Sequence, residues 1–125
     1  KAAIVTGKNS PLLYAESAAL LNATKILAGI PDEVDVIAPN VIRSIAHLKT
    51  TIRLSNTSLD VKEVLNALAA SAVSDETSHR CLEALDKLRG CEMHTTHLMN
   101  KGNENTLNQI GLNLTTDARL PFPGG

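Results

Sequence analysis

The chain has 125 residues, enough for one domain that buries roughly two-thirds of the surface its unfolded form would expose. Its 43% apolar content argues against disorder, and a formal net charge of −1 without a long block of like charge argues against a nucleic-acid or anionic-membrane surface. Tyr14 and Phe122 are the only aromatic residues, too few for a base-stacking platform, and no apolar run approaches the ~20 residues of a membrane helix.

Lys1 is followed almost at once by a strand-like run, Ala2 to Thr6, bounded by Gly7. So abrupt a start predicts a C-terminal domain excised from a larger chain, with residues 1–125 as a single α/β unit. Ser10 is placed to cap a first helix, with Pro11 at its first position and Gly29 closing it. Val34 to Ala38 reads as a second strand, stopped by Pro39. Asn40 then caps a helix whose apolar positions are Val41, Ile42, Ile45, Leu48 and Ile52.

Asp60 and Glu63 have capping-box spacing ahead of a third helix striped by Val61, Val64, Leu65, Leu68 and Ala72. A fourth helix runs from Ser74 to Gly90, acidic at its start and basic at its end, as the helix dipole favours. Cys91 to His97 reads as a third strand and Asn100 to Asn103 as a turn. Glu104 to Ile110 reads as a short helix, and Leu112 to Thr115 as a fourth strand. Strands alternating with helices predict parallel α/β layers, with extra helices between the second and third strands.

The loop Thr6-Gly7-Lys8-Asn9-Ser10-Pro11 fails as a nucleotide P-loop, because Ala2 stands where the first glycine belongs and Asn9 follows the lysine. Two alternatives remain. It is a tight strand-to-helix turn, or it holds an anion on unpaired amides from Ser10 to Leu13. In the second case Lys8 supplies charge, and Asn9 and Ser10 supply hydrogen bonds. Cys91, His94 and His97 are zinc-capable side chains, but alternation along a strand puts His94 on the opposite face, so no metal site is assigned. His97, where the strand gives way to a polar loop, is the candidate for proton exchange. Glu16 is expected to be a solvated helix residue, and His47 and His79 receive no role. Asp117 and Arg119 follow the last strand and could reach the same rim, and Asp117 is taken as a polar contact there. Two cysteines make no disulfide framework, and no signal peptide is visible, so a reducing cytoplasm is the expected compartment.

Taken together, TGKNSPLL, SAALLNATKILAGIPD, LRGCEMHTTHL and GLNLTTDA resemble the carboxyl-terminal part of the bacterial domain of unknown function 1846 family. The resemblance covers nearly the whole chain. It implies an α/β/α sandwich with a mostly parallel short sheet and a topology similar to cytidine deaminases. It does not imply deaminase chemistry, because Tyr14-Ala15-Glu16 lacks the zinc-ligating histidine and the Pro-Cys-x-x-Cys segment is absent. Gly7, Asn9, Ser10, His97 and Asp117 match the family, whereas Leu98 to Gly102 departs from its proline-containing loop.

The expected function is an anionic, phosphate-like small-molecule site shared with an upstream domain of the same protein. Gly7, Lys8, Asn9, Ser10 and Asp117 bind, and His97 exchanges a proton. The alternative is a structural or oligomerising module without its own active site, motivated by the alanine-rich first helix, and a homo-oligomer is expected. No cofactor, nucleic acid or membrane partner is indicated.

Overall fold

The computed structural model describes Gly7, Ser10, and residues 12–54 and 56–116. The strand expected at 2–6 lies outside the described residues. Helix α1, Ala15–Ala28, begins later than the expected start at Ser10 and Pro11. Leu12 to Tyr14 is held extended instead: Leu13 forms a parallel bridge with Leu59, whose amide donates to the Leu12 carbonyl at 2.8 Å and whose carbonyl accepts from Tyr14 at 3.2 Å. Those bonds commit the backbone before it can turn helical. Gly29 ends α1 at φ 72°, and the amides of Gly29 and Ile30 return to the carbonyls of Ile26 and Lys25.

Val34 to Ala38 is not a strand. It bends, and no strand pairs with it among the described residues. The apolar pattern reported burial there, since Val36 and Ile37 sit in the core. Helix α2, Pro39–Thr51, starts with Pro39 at its first position, ahead of the expected Asn40 cap. It closes through the amides of Arg53 and Leu54, which donate to the carbonyls of Thr50 and Lys49 at 3.0 and 2.9 Å. Arg53 occupies the left-handed position of this closure at φ 64°, where glycine is usual. Arg53→Gly removes a Cβ penalty and is expected to raise unfolding free energy by about 1 kcal/mol, read by urea denaturation.

Helix α3, Val61–Ala72, carries the expected capping box. The Asp60 carboxylate accepts from the Glu63 amide at 2.8 Å, and Glu63 Oε1 accepts from the Asp60 amide at 2.9 Å. The same Oε1 accepts from Lys49 Nζ at 2.7 Å, so one carboxylate caps α3 and ties down the end of α2. Helix α4, Glu76–Glu83, is shorter than expected, and its last part relaxes into a 3-10 segment, Ala84–Leu88.

Asp75 caps α4 through the Ser78 amide and hydroxyl, both at 2.8 Å. The hydroxyl bond, then the amide bond, holds its carboxyl below the ordinary 3.8. A depressed carboxylate contributes stability above its unfolded value and loses it as pH falls through the folded one. Asp75→Ala is therefore expected to lower Tm at pH 7, with the difference from the parent shrinking once the pH drops below 3.8.

Strand β1, Glu92–Thr95, pairs in parallel with β2, Asn113–Thr116, from Glu92 opposite Asn113 to Thr95 opposite Thr116. The expected turn at 100–103 is instead the start of helix α5, Lys101–Ile110: the Asn100 side chain accepts from the Asn103 amide and caps it. The described residues thus hold five α-helices and a two-stranded parallel sheet, a mixed α/β fold. One core cluster joins α1, α3 and α4 around Leu21, Leu59, Val64, Leu68 and Cys81. The other joins α1 to the sheet side through Leu20, Val61, Leu88, Leu107 and Leu112. None of the described helices is long and apolar enough to cross a membrane.

Candidate functional site

Both strands end at threonines, and the chain bends away immediately after β1. Thr95 Oγ1 donates to the His97 carbonyl at 2.9 Å, with a longer contact from Thr116 Oγ1 at 3.4 Å. The histidine is thereby pinned at the carboxyl edge of the parallel pair, where open α/β sheets carry their ligands. Its Nε2 lies 3.0 Å from Oε1 of Glu16, in the first turn of α1, where the helix dipole favours a carboxylate.

Glu16 is not the solvated residue its helix position suggests; it is 3% exposed. Oε2 accepts from Asn103 Nδ2 at 2.7 Å, and Asn103 Oδ1 accepts from the Val61 amide at 2.9 Å. A continuous polar chain therefore runs from the start of α3, through α5, to α1 and out to His97. Only its last member reaches solvent: the His97 side chain is 39% exposed, the Glu16 side chain 2%.

An ionised carboxylate can only accept, so with Glu16 in that form His97 Nε2 carries a hydrogen. Nδ1 has no hydrogen-bond partner among the described residues. It is a lone-pair acceptor in the neutral ring and a donor in the imidazolium. A buried carboxylate orienting an exposed imidazole in this way is a workable proton-exchange arrangement.

Beside His97 lies a hollow of about 190 Å³, with Thr95, Met99, Glu104, Thr115 and Thr116 on its walls. That is smaller than the roughly 300 Å³ at which complete ligand pockets begin, and is closer in size to a ligand's head group. A second hollow of about 200 Å³ lies among Ala28, Arg80, Glu83, Ala84 and Lys87. Arg80, Glu83 and Lys87 are exposed there, and among the described residues no buried polar group orients any of them, so the histidine side is the candidate site.

The other residues nominated from sequence fare differently. Lys8, Asn9 and Asp117 lie outside the described residues. Gly7 lies against α1, so close that a Cβ would fall on the Ala15 carbonyl and the Ala19 amide. Ser10 is at the approach to α1, but its neighbourhood is not a set of vacant donors. The Leu12 and Leu13 amides donate to Ser10 Oγ at 3.2 and 3.0 Å, and the Ser10 amide donates to the Leu13 carbonyl at 2.9 Å. The unpaired amides expected from Ser10 to Leu13 are thus paired at each of the three described positions, because the serine closes a turn rather than capping a helix.

His94 hydrogen-bonds through Nδ1 with Thr115 Oγ1 across the sheet at 2.7 Å, and no three metal-ligand side chains converge among the described residues. Cys81 is fully buried, and burial pushes its thiol up, against nucleophilic use. Asn103 went unnoticed in the sequence, although its spacing from Asn100 is that of a helix cap.

Residues 1–122 match the family model described as "Domain of unknown function DUF1846, C-terminal". The chain belongs to this family. This DUF1846 C-terminal domain is 44% identical over 115 residues to a UPF0371 protein of Corynebacterium aurimucosum, covering 91% of this chain and 23% of that one. It is 40% identical over 119 residues to a UPF0371 protein of Clostridioides difficile, covering 94% of this chain and 24% of that one. A UPF0371 protein of Clostridium tetani is 36% identical over the same length. The chain therefore spans about a quarter of the length of these curated relatives.

Proposed function

We propose that this domain supplies one wall of a small-molecule site, completed by polypeptide of an upstream domain, at which His97 exchanges a proton with an anionic, phosphate-like group of the ligand. The observation that carries this is the buried Glu16 holding a solvent-facing imidazole whose Nδ1 is uncommitted among the described residues. The small hollow favours a head group rather than a whole ligand. Lys8, Asn9 and Asp117 add charge and hydrogen bonds, Gly7 and Ser10 shape the approach to α1, and Glu16 is a positioning residue.

The parallel register of β1 and β2, with α5 between them in sequence, suits a three-layer sandwich of cytidine-deaminase-like topology in which these are two strands of a larger sheet. Free thiols at Cys81 and Cys91 suit a reducing cytoplasm. Part of the alanine face that motivated the oligomerising alternative is used internally, since Ala23 and Ala28 pack on the two core clusters.

Calorimetric titration of the full-length protein with inorganic phosphate tests the site. Binding is expected, with His97→Gln weakening it roughly tenfold or more through loss of one charge-assisted hydrogen bond. Glu16→Gln is expected to weaken it less and to change its pH dependence. Absence of binding, or equal affinity in the His97 variant, overturns the proposal.

A further inference from the structure

The hollow beside His97 has a second ionisable side chain on its wall, Glu104, for which a phosphate group alone has no use. Glu104 stands in the first turn of α5, directly after Asn103, so the helix that steadies Glu16 from inside also brings a carboxylate to the same hollow. Its side chain is 43% exposed, and Lys101, 82% exposed, stands 3.6 Å away, a solvated pair that holds the carboxylate only loosely. Met99 and Leu114, half-buried against the sheet-side core, add apolar surface to the walls.

Counting hydrogens decides what such walls can hold. With Glu16 ionised and the ring charged, His97 Nδ1 offers one hydrogen to an anion. Thr95 has already given its hydroxyl hydrogen to the His97 carbonyl, so its oxygen can only accept, and Glu104 as a carboxylate can only accept. A phosphoryl group brings acceptors and negative charge of its own, so beside Glu104 it is repelled and finds no hydrogen. The occupant must carry hydrogen-bond donors next to its phosphoryl group. Hydroxylated carbons supply those donors together with C–H surface for Met99 and Leu114, whereas an ammonium would compete with Lys101 for the same carboxylate. We propose that the ligand is a phosphorylated polyol, with its phosphoryl group on His97 and an adjoining hydroxyl donating to Glu104. This rests on the reading of His97 as the phosphate-binding group, and it makes Glu104 the residue that sets specificity.

Calorimetric titration of the full-length protein with glycerol 3-phosphate and with propyl phosphate tests it, because the two share their carbon count and phosphoryl group and differ in hydroxyls. Glycerol 3-phosphate is expected to bind at least about tenfold more tightly, as one hydrogen bond to a charged group allows. Glu104→Met, which keeps the length of the side chain and removes the acceptor, is expected to abolish that preference. Glu104→Gln, which keeps one neutral acceptor, is expected to leave part of it. Equal affinity for the two ligands in the parent protein overturns the proposal, and that comparison needs no variant to fold. A preference that survives Glu104→Met overturns the role of Glu104. Tighter binding of phosphoethanolamine than of glycerol 3-phosphate overturns the hydroxyl in favour of an ammonium. Propyl phosphate binding that depends on His97, with nothing gained by glycerol 3-phosphate, leaves the phosphate site standing and removes only the polyol; failure of all three compounds to bind removes both.

Discussion

Asn103→Leu is expected to cost the protein about 3–4 kcal/mol and to loosen His97, because it strands two buried groups at roughly 1–3 kcal/mol each. Asn103 is 1% exposed and serves two elements at once: its oxygen accepts the Val61 amide and its nitrogen donates to Glu16. Leucine has nearly the same volume, so the loss is polar and not a cavity effect. The Val61 amide at the start of α3 is then left without its acceptor. Among the described residues the Glu16 carboxylate then keeps only His97, which is partly solvated, so the pair has lost its internal anchor.

Asn103→Asp separates the two losses. It retains an acceptor for Val61 but faces Glu16 with a second carboxylate, and like charges at that range favour protonation of one of them. Its deficit is expected to be large at neutral pH and to shrink as acid supplies the missing proton. Asn103→Leu should show no such recovery. Urea denaturation across pH measures both, and a deficit below about 1 kcal/mol for Asn103→Leu would mean that the polar chain is not continuous.

What the sequence disclosed follows from how local each signal is. The capping box of Asp60 and Glu63 spans four residues, and the glycine closures at Gly29 and Gly111 need only a turn, so these were readable. Val34 to Ala38 shows the limit of an apolar run: it reported burial at Val36 and Ile37, but pairing requires a neighbour that no local pattern reveals.

Asn100 and Asn103 show another limit. Asparagine suits turns and helix caps by the same backbone chemistry, and the packing of Thr106 and Leu107 favoured the cap. Glu16 was the least accessible. Its position in a first turn suggests a solvated carboxylate, and its burial is created by His97 and Asn103, 81 and 87 residues away. His97 could be nominated from the end of its strand, but the partner that gives it chemical meaning could not. At Ser10 the helix-cap reading is off for the opposite reason: the serine accepts nearby amides as a cap would, but those bonds close a turn ahead of α1 and pair the Leu12 and Leu13 donors.

Gly7→Ala is expected to destabilise the protein by about 3 kcal/mol, while the same change at Gly102 is expected to be neutral or to stabilise by up to about 1 kcal/mol. The contrast isolates space from conformational entropy. At Gly102, within α5, an added Cβ meets only Asn100 Oδ1 at 3.5 Å, ordinary contact, and alanine is the better helix former. At Gly7 the added carbon would fall on the backbone of α1 at Ala15 and Ala19, which cannot rotate aside as a side chain could. Relief requires α1 to move away from Gly7. That helix is packed on α3, α4 and the 3-10 segment, so the displacement is resisted by Leu20 and Leu21 in both core clusters. The same shift carries Glu16 with it, because Glu16 follows Ala15 directly. Gly7→Ala is therefore expected to perturb the His97 ring as well as stability, whereas Gly102→Ala should leave the ring unchanged. Denaturation midpoints of the two variants, with histidine ring resonances read alongside, test this; equal stability of the two would show that the contact of Gly7 with α1 has room to spare.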